Sequence, residues 1–256
     1  VTPDVLICAG LDPSGGAGLL ADARVVSALG GRPVGVVTAL TVQNTTAVLA
    51  SEPTTPDLVR EQLEFLLSDV EVRAAKIGML GSTEVARALG QALNLTTAPV
   101  VWDPILAPSR GEVTFVDGVF ADAIRALAPH VALITPNTVE LGYLTGAPVD
   151  ALDAAIAAGQ ALASQLGCAV LVKGGHLTGA EAIDALCTPT TVERLAGPRL
   201  AAGEHVHGTG CALSSAIATH LALGAPLVDA CRLAKAFVAE KIASPARPGR
   251  GAAAIV

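Results

Sequence analysis

Aromatic side chains are nearly missing from this sequence: one Trp, one Tyr and four Phe are spread over 256 residues. A core without them must be built from Ala, Val, Leu and Ile, and stacking of a ligand on tryptophan is a disfavoured design, with Trp102 the one candidate. Clustered positive charge is missing too. The formal net charge is −7 and no Lys/Arg-rich run occurs, which argues against nucleic acid as a partner, because a phosphate backbone is bound by grouped cations. A small-molecule substrate is expected instead. Although 52% of the residues are hydrophobic and only 15% charged, the apolar stretches are short and broken by Gly, Pro or charge, so none suffices to cross a bilayer. The five cysteines, Cys8, Cys168, Cys187, Cys211 and Cys231, are scattered, odd in number and without C-x-x-C spacing, which fits neither a disulfide framework nor a zinc site. The first residues lack the basic segment, apolar core and small-residue cleavage site of a secretory signal, while the missing initiator Met points to trimming. The cytoplasm is the default expectation.

A chain of this length can bury a large core, as one big α/β domain or two small ones. No linker, internal repeat or low-complexity tract divides it, so residues 1–256 read as a single domain. Short apolar or β-branched runs recur at Val5–Ala9, Val34–Leu40, Ala74–Ile77, Pro99–Trp102, Val131–Ile134 and Ala169–Val172. Helical patterns lie at Gly18–Leu29, Pro56–Leu67, Thr83–Leu93, Val119–Leu127, Leu152–Leu166, Cys211–Leu223 and Leu227–Ile242. Alternation of the two predicts an α/β fold whose mostly parallel sheet is covered by helices on both faces. Residues 181 to 200 read as strands joined by a Thr188-Pro189-Thr190 turn, an antiparallel edge. Ala107–Gly118 reads as a mobile flap and Ser244–Gly251 as a frayed tail.

The run His207-Gly208-Thr209-Gly210-Cys211 is the most telling segment, because a glycine turn leads straight into a helical pattern. Unpaired N–H groups and the positive end of the helix dipole make such a junction an anion site, and the same field favours the thiolate of Cys211. A plain turn capped by Thr209, with an inert buried cysteine, accounts for the run equally well. After the first strand, Gly10-Leu11-Asp12-Pro13-Ser14-Gly15-Gly16-Ala17-Gly18 lacks the G-x-G-x-x-G order, and no acidic residue closes a second strand, so a nicotinamide site is disfavoured. Its glycines suit backbone closing over a small polar substrate, with Asp22 either aimed at it or lying on a solvated helix face.

Other candidates also follow strands. Gln43 offers both a donor and an acceptor to a heterocycle carrying an amine beside a ring nitrogen, or bonds local backbone as a turn residue. Met79 suits an adaptable apolar wall or plain core filling. Asn137 and Glu140 share one face of a helix start, which suits water-mediated Mg²⁺ binding or a helix cap. Lys173, beside Gly174 and Gly175, is placed to neutralise a transferring phosphate or to make a surface salt bridge, and His176 reads as a structural hydrogen-bonder.

In this order, AGLDPSGGAGLLAD (9–22), TALTVQNT (38–45), KIGML (76–80), DP (103–104), ITPNTVE (134–140), VKGGH (172–176) and HGTGCALSSA (207–216) resemble the ribokinase-like superfamily. The resemblance spans nearly the whole chain and points to the hydroxymethylpyrimidine/phosphomethylpyrimidine kinase branch of thiamin biosynthesis. It implies a three-layer α/β/α fold and an ATP- and Mg²⁺-dependent kinase acting on 4-amino-5-hydroxymethyl-2-methylpyrimidine and then on its monophosphate. By the same resemblance Gln43 contacts the aminopyrimidine, Asp22 and the backbone of Gly10 and Ala17 surround it, and Met79 lies against the ring. Cys211 stands near the hydroxymethyl oxygen, and the N–H groups of Gly208, Thr209, Gly210 and Cys211 form the anion hole. Lys173 and a Mg²⁺ near Glu140 and Asn137 balance charge. A homodimer is implied as well.

Two segments depart from the family pattern. Ala107-Pro108-Ser109-Arg110-Gly111 lacks the flap lysine, for which Arg110 is the substitute, and Glu204-His205-Val206 replaces a Lys-Asn-Thr. Both bear on the second phosphorylation, which must hold an extra negative charge. A pyridoxal or pyridoxine kinase is the near rival, a catalytically silent pyrimidine-binding regulator the distant one.

Overall fold

The computed structural model describes residues 1–105, 119–200, 203 and 206–255, without the side chains of Val119, Phe120 and His176. The flap expected over 107–118, with Arg110, and the Glu204-His205 departure lie outside the described residues. In chain order the elements are β1 (Asp4–Leu11), α1 (Gly18–Ala28), β2 (Arg32–Gln43), β3 (Val48–Pro53), α2 (Pro56–Leu67), β4 (Val72–Ile77), α3 (Thr83–Leu93) and β5 (Val100–Trp102). There follow α4 (Val119–Leu127), β6 (Val131–Ile134), α5 (Thr138–Thr145), α6 (Leu152–Leu166), β7 (Ala169–Val172), β8 (Glu181–Cys187) and β9 (Val192–Pro198). The last are β10 (Val206–His207), α7 (Thr209–Ala222), α8 (Leu227–Ala243) and β11 (Ala253–Ala254).

Nine strands form one sheet in the order β3-β2-β1-β4-β5-β6-β7-β8-β9. Its six central strands, β2 to β7, are parallel, and β3 at one edge and β8 and β9 at the other run antiparallel. The continuous apolar run of β1 is explained by burial on both faces. Leu6 and Cys8 enter a core shared with α2, α3, α4 and α6, whereas Val5, Ile7 and Ala9 enter a second core shared with α1, α7 and α8. This is the three-layer α/β/α arrangement expected. The chain leaves β1 toward β2 and later returns to its other side through β4, so strand order reverses between β1 and β4. Ligands of open parallel sheets collect at the carboxyl ends beside such a reversal.

Strand and helix cores fall where periodicity places them, including the β8–β9 edge, but three features were not read from the sequence. The second strand runs three residues past Leu40, because β1 ends opposite that residue and Thr41, Val42 and Gln43 pair with β3 alone. That antiparallel hairpin edge carries a mixed polar pattern and no turn signal of its own. Helix α5 is short, and its apolar pattern is weak. The tail is not frayed as expected: Ala246 N–H donates to Ala254 O at 2.8 Å, and Gly251 and Ala252 N–H groups donate to Oγ1 and O of Thr45 at 3.2 and 2.9 Å. Residues 252–255 are buried, and β11 runs parallel to β10 with His207 paired to Ala254. Local Pro, Arg and Gly read as a loop because everything that holds the segment is distant in sequence. Among the described residues no helix is long and apolar enough to cross a membrane.

Removing residues 252–256 should speed hydrogen exchange at the Thr45–Ala47 turn, which Ala252 holds, and at the Val206–His207 strand, which Ala253 and Ala254 pair, and leave β1 and β4 protected. Unchanged exchange at 206–207 would show that β11 does not hold that strand.

Candidate active site

A cleft of about 870 Å³ opens at the carboxyl ends of the parallel strands. Gly10, Ala17, Gln43, Met79, Asn137, Glu140, Lys173, Gly208, Thr209, Gly210 and Cys211 all line it, so eleven candidate residues from six loops converge on one space. The twelfth does not. Asp22 is 0% exposed and binds Lys76 Nζ at 2.5 Å and Ser215 Oγ at 2.8 Å. One turn into α1, its carboxylate lies beside the cleft-lining Lys76, where a buried ammonium and a hydroxyl bond it.

Lys76 is the residue missed by sequence reasoning. It lies at the end of β4 on the face covered by α1 and α7, lines the cleft, and is itself 0% exposed. Burial alone would lower its pKa, but the Asp22 carboxylate, with Cys211 and Asp103 beyond it, outweighs burial and holds the ammonium above its ordinary value. A Lys in an otherwise apolar strand was the available signal. Asp12, Thr41, Asp103 and His207 also line the cleft unassigned.

The anion site is built by backbone. Gly208, at φ 85°, caps α7, and a Cβ there would meet Gly16 O at 2.1 Å, so only glycine fits. The first helical bond back is Ala212 N–H to Gly208 O at 2.9 Å, which leaves the N–H groups of Thr209, Gly210 and Cys211 without intrahelical partners. Lys173 Nζ lies 3.2 Å from where a Cβ on Gly210 would stand. It is not a surface salt bridge: its ammonium is 2.8 Å from Asp103 Oδ1 and 3.6 Å from Glu140 Oε2. Burial opposes the charge, and Asp103 and Glu140 overcome it, raising the pKa.

Cys211 departs from the thiolate expected of a helix N-terminus. The side chain is buried beside Lys76, and burial pushes its thiol up to about 11 against the pull of that cation. It is a protonated group, with the Gly18 N–H directed at its sulfur.

Asn137 and Glu140 form a full capping box: Asn137 Oδ1 accepts from Glu140 N–H at 2.9 Å, and Glu140 Oε2 accepts from Asn137 N–H at 2.6 Å. Asn137 Oδ1 thus serves the cap, and the residue lines the cleft beside Glu140. Burial raises the Glu140 carboxyl above its ordinary value despite Lys173. Among the described residues no group of three or more His, Cys, Asp or Glu is arranged to hold a metal directly. Asp103 Oδ2 lies 3.5 Å from where a Cβ on Gly210 would stand, and the bonds named above leave it and Glu140 Oε1 unused. Two hard oxygens fit an ion that keeps most of its water.

At the opposite end Gln43, Met79, Gly10 and the Asp12–Ala17 loop close a smaller space. Asp12 Oδ1 accepts from the N–H and Oγ of Ser14 at 2.8 and 2.7 Å, and Oδ2 accepts from Ala17 N–H at 3.1 Å. Burial would raise this carboxyl, but hydrogen bonds from His207 and Ser14 outweigh it and hold its pKa below the ordinary value. Beyond the anion site the wall combines apolar Leu195, Leu213, Ala236 and Ile242 with charged Asp184, Arg194, Arg199, Arg232 and Lys235.

Two outcomes follow. Lys76→Met should cost about 3–5 kcal/mol in urea unfolding by stranding Asp22, and Lys76→Met with Asp22→Leu should recover most of it; a single-variant loss below about 1 kcal/mol would contradict a buried charge pair. Alkylation of Cys211 by iodoacetamide, followed by peptide mass mapping, should rise roughly tenfold per pH unit past pH 9. A plateau by about pH 10 would mark an ordinary thiol, and one near pH 8 an activated thiol.

Comparison with known proteins agrees with this geometry. Residues 12–255 match the family model described as phosphomethylpyrimidine kinase. The chain is 38% identical over 256 residues to the hydroxymethylpyrimidine/phosphomethylpyrimidine kinase of Rhizobium meliloti (strain 1021), covering 98% of this chain and 96% of that one. It is 40% identical over 243 residues to the thiamine biosynthesis multifunctional protein ThiED of Corynebacterium efficiens, covering 94% of this chain and spanning 33% of that protein's length. The phosphomethylpyrimidine kinase of Clostridium difficile 630 superposes with a TM-score of 0.80 at 34% identity, over 94% of this chain and 100% of that chain. The pyridoxal kinase of Staphylococcus aureus, solved in complex with ADP, superposes with a TM-score of 0.90 at 27% identity, over 100% of this chain and 93% of that chain. Shape is shared with both kinds of kinase, while the family match and the higher identities fall on the pyrimidine side. By these matches, over nearly its full length, the chain belongs to the phosphomethylpyrimidine kinase family.

Proposed function

We propose that this chain, as one kinase domain, transfers the γ-phosphoryl group of ATP to the hydroxymethyl group of 4-amino-5-hydroxymethyl-2-methylpyrimidine and then phosphorylates the monophosphate. The observation that carries the reading is the two-ended cleft: an amide, a thioether and close backbone at one end, and a glycine-capped helix N-terminus with a buried lysine at the other. A heterocycle with a hydroxymethyl arm spans such a space, its ring at Gln43 and Met79 and its oxygen toward Cys211.

The hydroxymethyl oxygen forms a bond to the γ-phosphorus as the bond to the β,γ-bridging oxygen breaks and ADP leaves, and the hydroxyl proton passes late to an oxygen of the transferred phosphoryl group and from there to solvent. Such a loose transfer needs positioning and charge stabilisation more than a strong base. A thiol titrating near 11 suits that demand, orienting the hydroxyl by hydrogen bonding instead of abstracting its proton. The N–H groups of Thr209, Gly210 and Cys211 hold the equatorial oxygens, and Lys173 stabilises the charge that develops on them. A Mg²⁺ held through water by Glu140, with Asp103, would supply further neutralisation of the polyphosphate. The apolar part of the wall, at Leu195, Leu213, Ala236 and Ile242, suits the nucleobase.

The same reading includes a homodimer, for which the exposed outward row Leu40, Val42 and Leu49 on the β2–β3 hairpin offers an apolar face. A reducing, cytoplasmic setting suits five cysteines that are all free.

ATP consumption measured side by side with the aminopyrimidine, its monophosphate and pyridoxal tests the proposal. Turnover of both pyrimidines is expected, and pyridoxal turnover alone would overturn it. Lys173→Ala should lower kcat by about 10²–10³. Cys211→Ala should lower it about tenfold with little change in KM; full activity would remove Cys211 from the mechanism.

A further inference from the structure

His207 has no part in the reaction as written, yet it touches both walls of the substrate end. Its Nε2 lies 3.5 Å from Asp12 Oδ2 and 3.3 Å from Gln43 Nε2. The ring packs against Gly16, and the backbone is held by β11, with Ile255 N–H donating to His207 O at 3.3 Å. The next residue is Gly208, which caps the anion helix.

The donors and acceptors around this ring decide an orientation. An ionised Asp12 only accepts, so the nitrogen that faces it carries a proton. A protonated Nε2 cannot bond an amide NH₂ at 3.3 Å, since both are donors. A second conflict arises at the other end of the same amide. Thr41 Oγ1 lies 2.9 Å from Leu11 O and 3.3 Å from Gln43 Oε1, and its single hydroxyl proton goes to the nearer acceptor, which leaves the Gln43 oxygen facing a hydroxyl lone pair. Turning the Gln43 amide over by half a turn exchanges isosteric ends and removes both conflicts. His207 Nε2–H then points between two acceptors, the Gln43 oxygen at 3.3 Å and Asp12 Oδ2 at 3.5 Å, and is shared by them. Thr41 donates to Leu11 O and accepts from the Gln43 NH₂.

We infer that His207 is a specificity-determining positioning residue: it holds the Gln43 amide in one sense, oxygen toward His207 and NH₂ toward Thr41. One amide hydrogen and one oxygen lone pair remain for a ligand, in fixed order. That order accepts a ring with an amine beside an acceptor nitrogen and rejects a ring with a carbonyl beside an N–H, whose pattern is reversed. Without His207 the amide is free to turn and to read either ring. The inference rests on the proposal that Gln43 contacts the pyrimidine.

The test compares the aminopyrimidine with its oxo analogue in wild type, His207→Ala, His207→Gln, Gln43→Ala and the double variant His207→Ala/Gln43→Ala. In His207→Ala the amino-over-oxo preference in kcat/KM should fall at least tenfold, through KM for the ring, with KM for ATP within twofold. His207→Gln, which keeps a donor at similar reach, should restore part of it, and the double variant should discriminate no less than Gln43→Ala alone. Equal loss of kcat for both rings with preference intact would reduce His207 to a structural role and overturn the inference. Nitrogen-15 spectra of histidine-labelled wild-type protein, with His207 signals identified by their loss in the Gln variant, should show a proton on Nε2. A bare Nε2 would overturn it even if His207→Ala fails to fold. If wild type phosphorylates neither ring, the proposed function fails on its own, and the nitrogen spectra still judge the network.

Discussion

The floor of the cleft depends on one buried ion pair. Lys76, in the middle of the sheet, meets Asp22 of α1, and Ser215 of α7 completes the carboxylate's bonding, so a strand and two helices are pinned at one point with no exposure to water. Stranding either charge there is costly, which makes the relative position of the three elements tightly determined. Everything above the pair inherits that position. Cys211, one turn before Ser215, is set over the ammonium, and the unpaired N–H groups of α7 are aimed at the cleft instead of at solvent.

A second layer of charge lies beside the first. Lys173, Asp103 and Glu140 come from the ends of β7 and β5 and from the start of α5, and each is mostly buried. The Asn137–Glu140 capping box fixes the acid, and a single parallel bridge between Asn137 and Lys173 fixes the lysine against it. Positive charge, helix dipole and the Asp103 and Glu140 carboxylates thus gather at one end, while the other end has the Gln43 amide, His207 with the Asp12 carboxylate, and Met79. This division of the cleft into a charged and a ring-binding half is what a phosphotransferase for a small heterocycle requires.

The substrate end is assembled from the extremes of the chain. Gln43 stands on a hairpin that outruns its parallel neighbour, and the turn below it is held by Gly251 and Ala252 near the other terminus. The same final strand pairs with His207, so the residue that orients the amide and the glycine that caps the anion helix share one support. Ring-binding and phosphate-binding groups consequently share one backbone support.

Much of this was legible in the sequence. The βα alternation, the antiparallel β8–β9 edge and the polar residue at each strand end are set by local periodicity and turn chemistry, and eleven of the twelve candidate residues do line one cleft. What only the tertiary structure decided is where charges and protons sit. Asp22 serves Lys76 because Ser215, 193 positions away, and a distant strand enclose it. The Cys211 thiol stays protonated because burial outweighs the helix field that its sequence position supplies. The tail is held at Gly251 and Ala252 because Thr45 arrives from the other end of the chain. Local sequence dictates which chemistry each loop carries; burial and long-range pairing, which no window of sequence contains, dictate what state that chemistry is in.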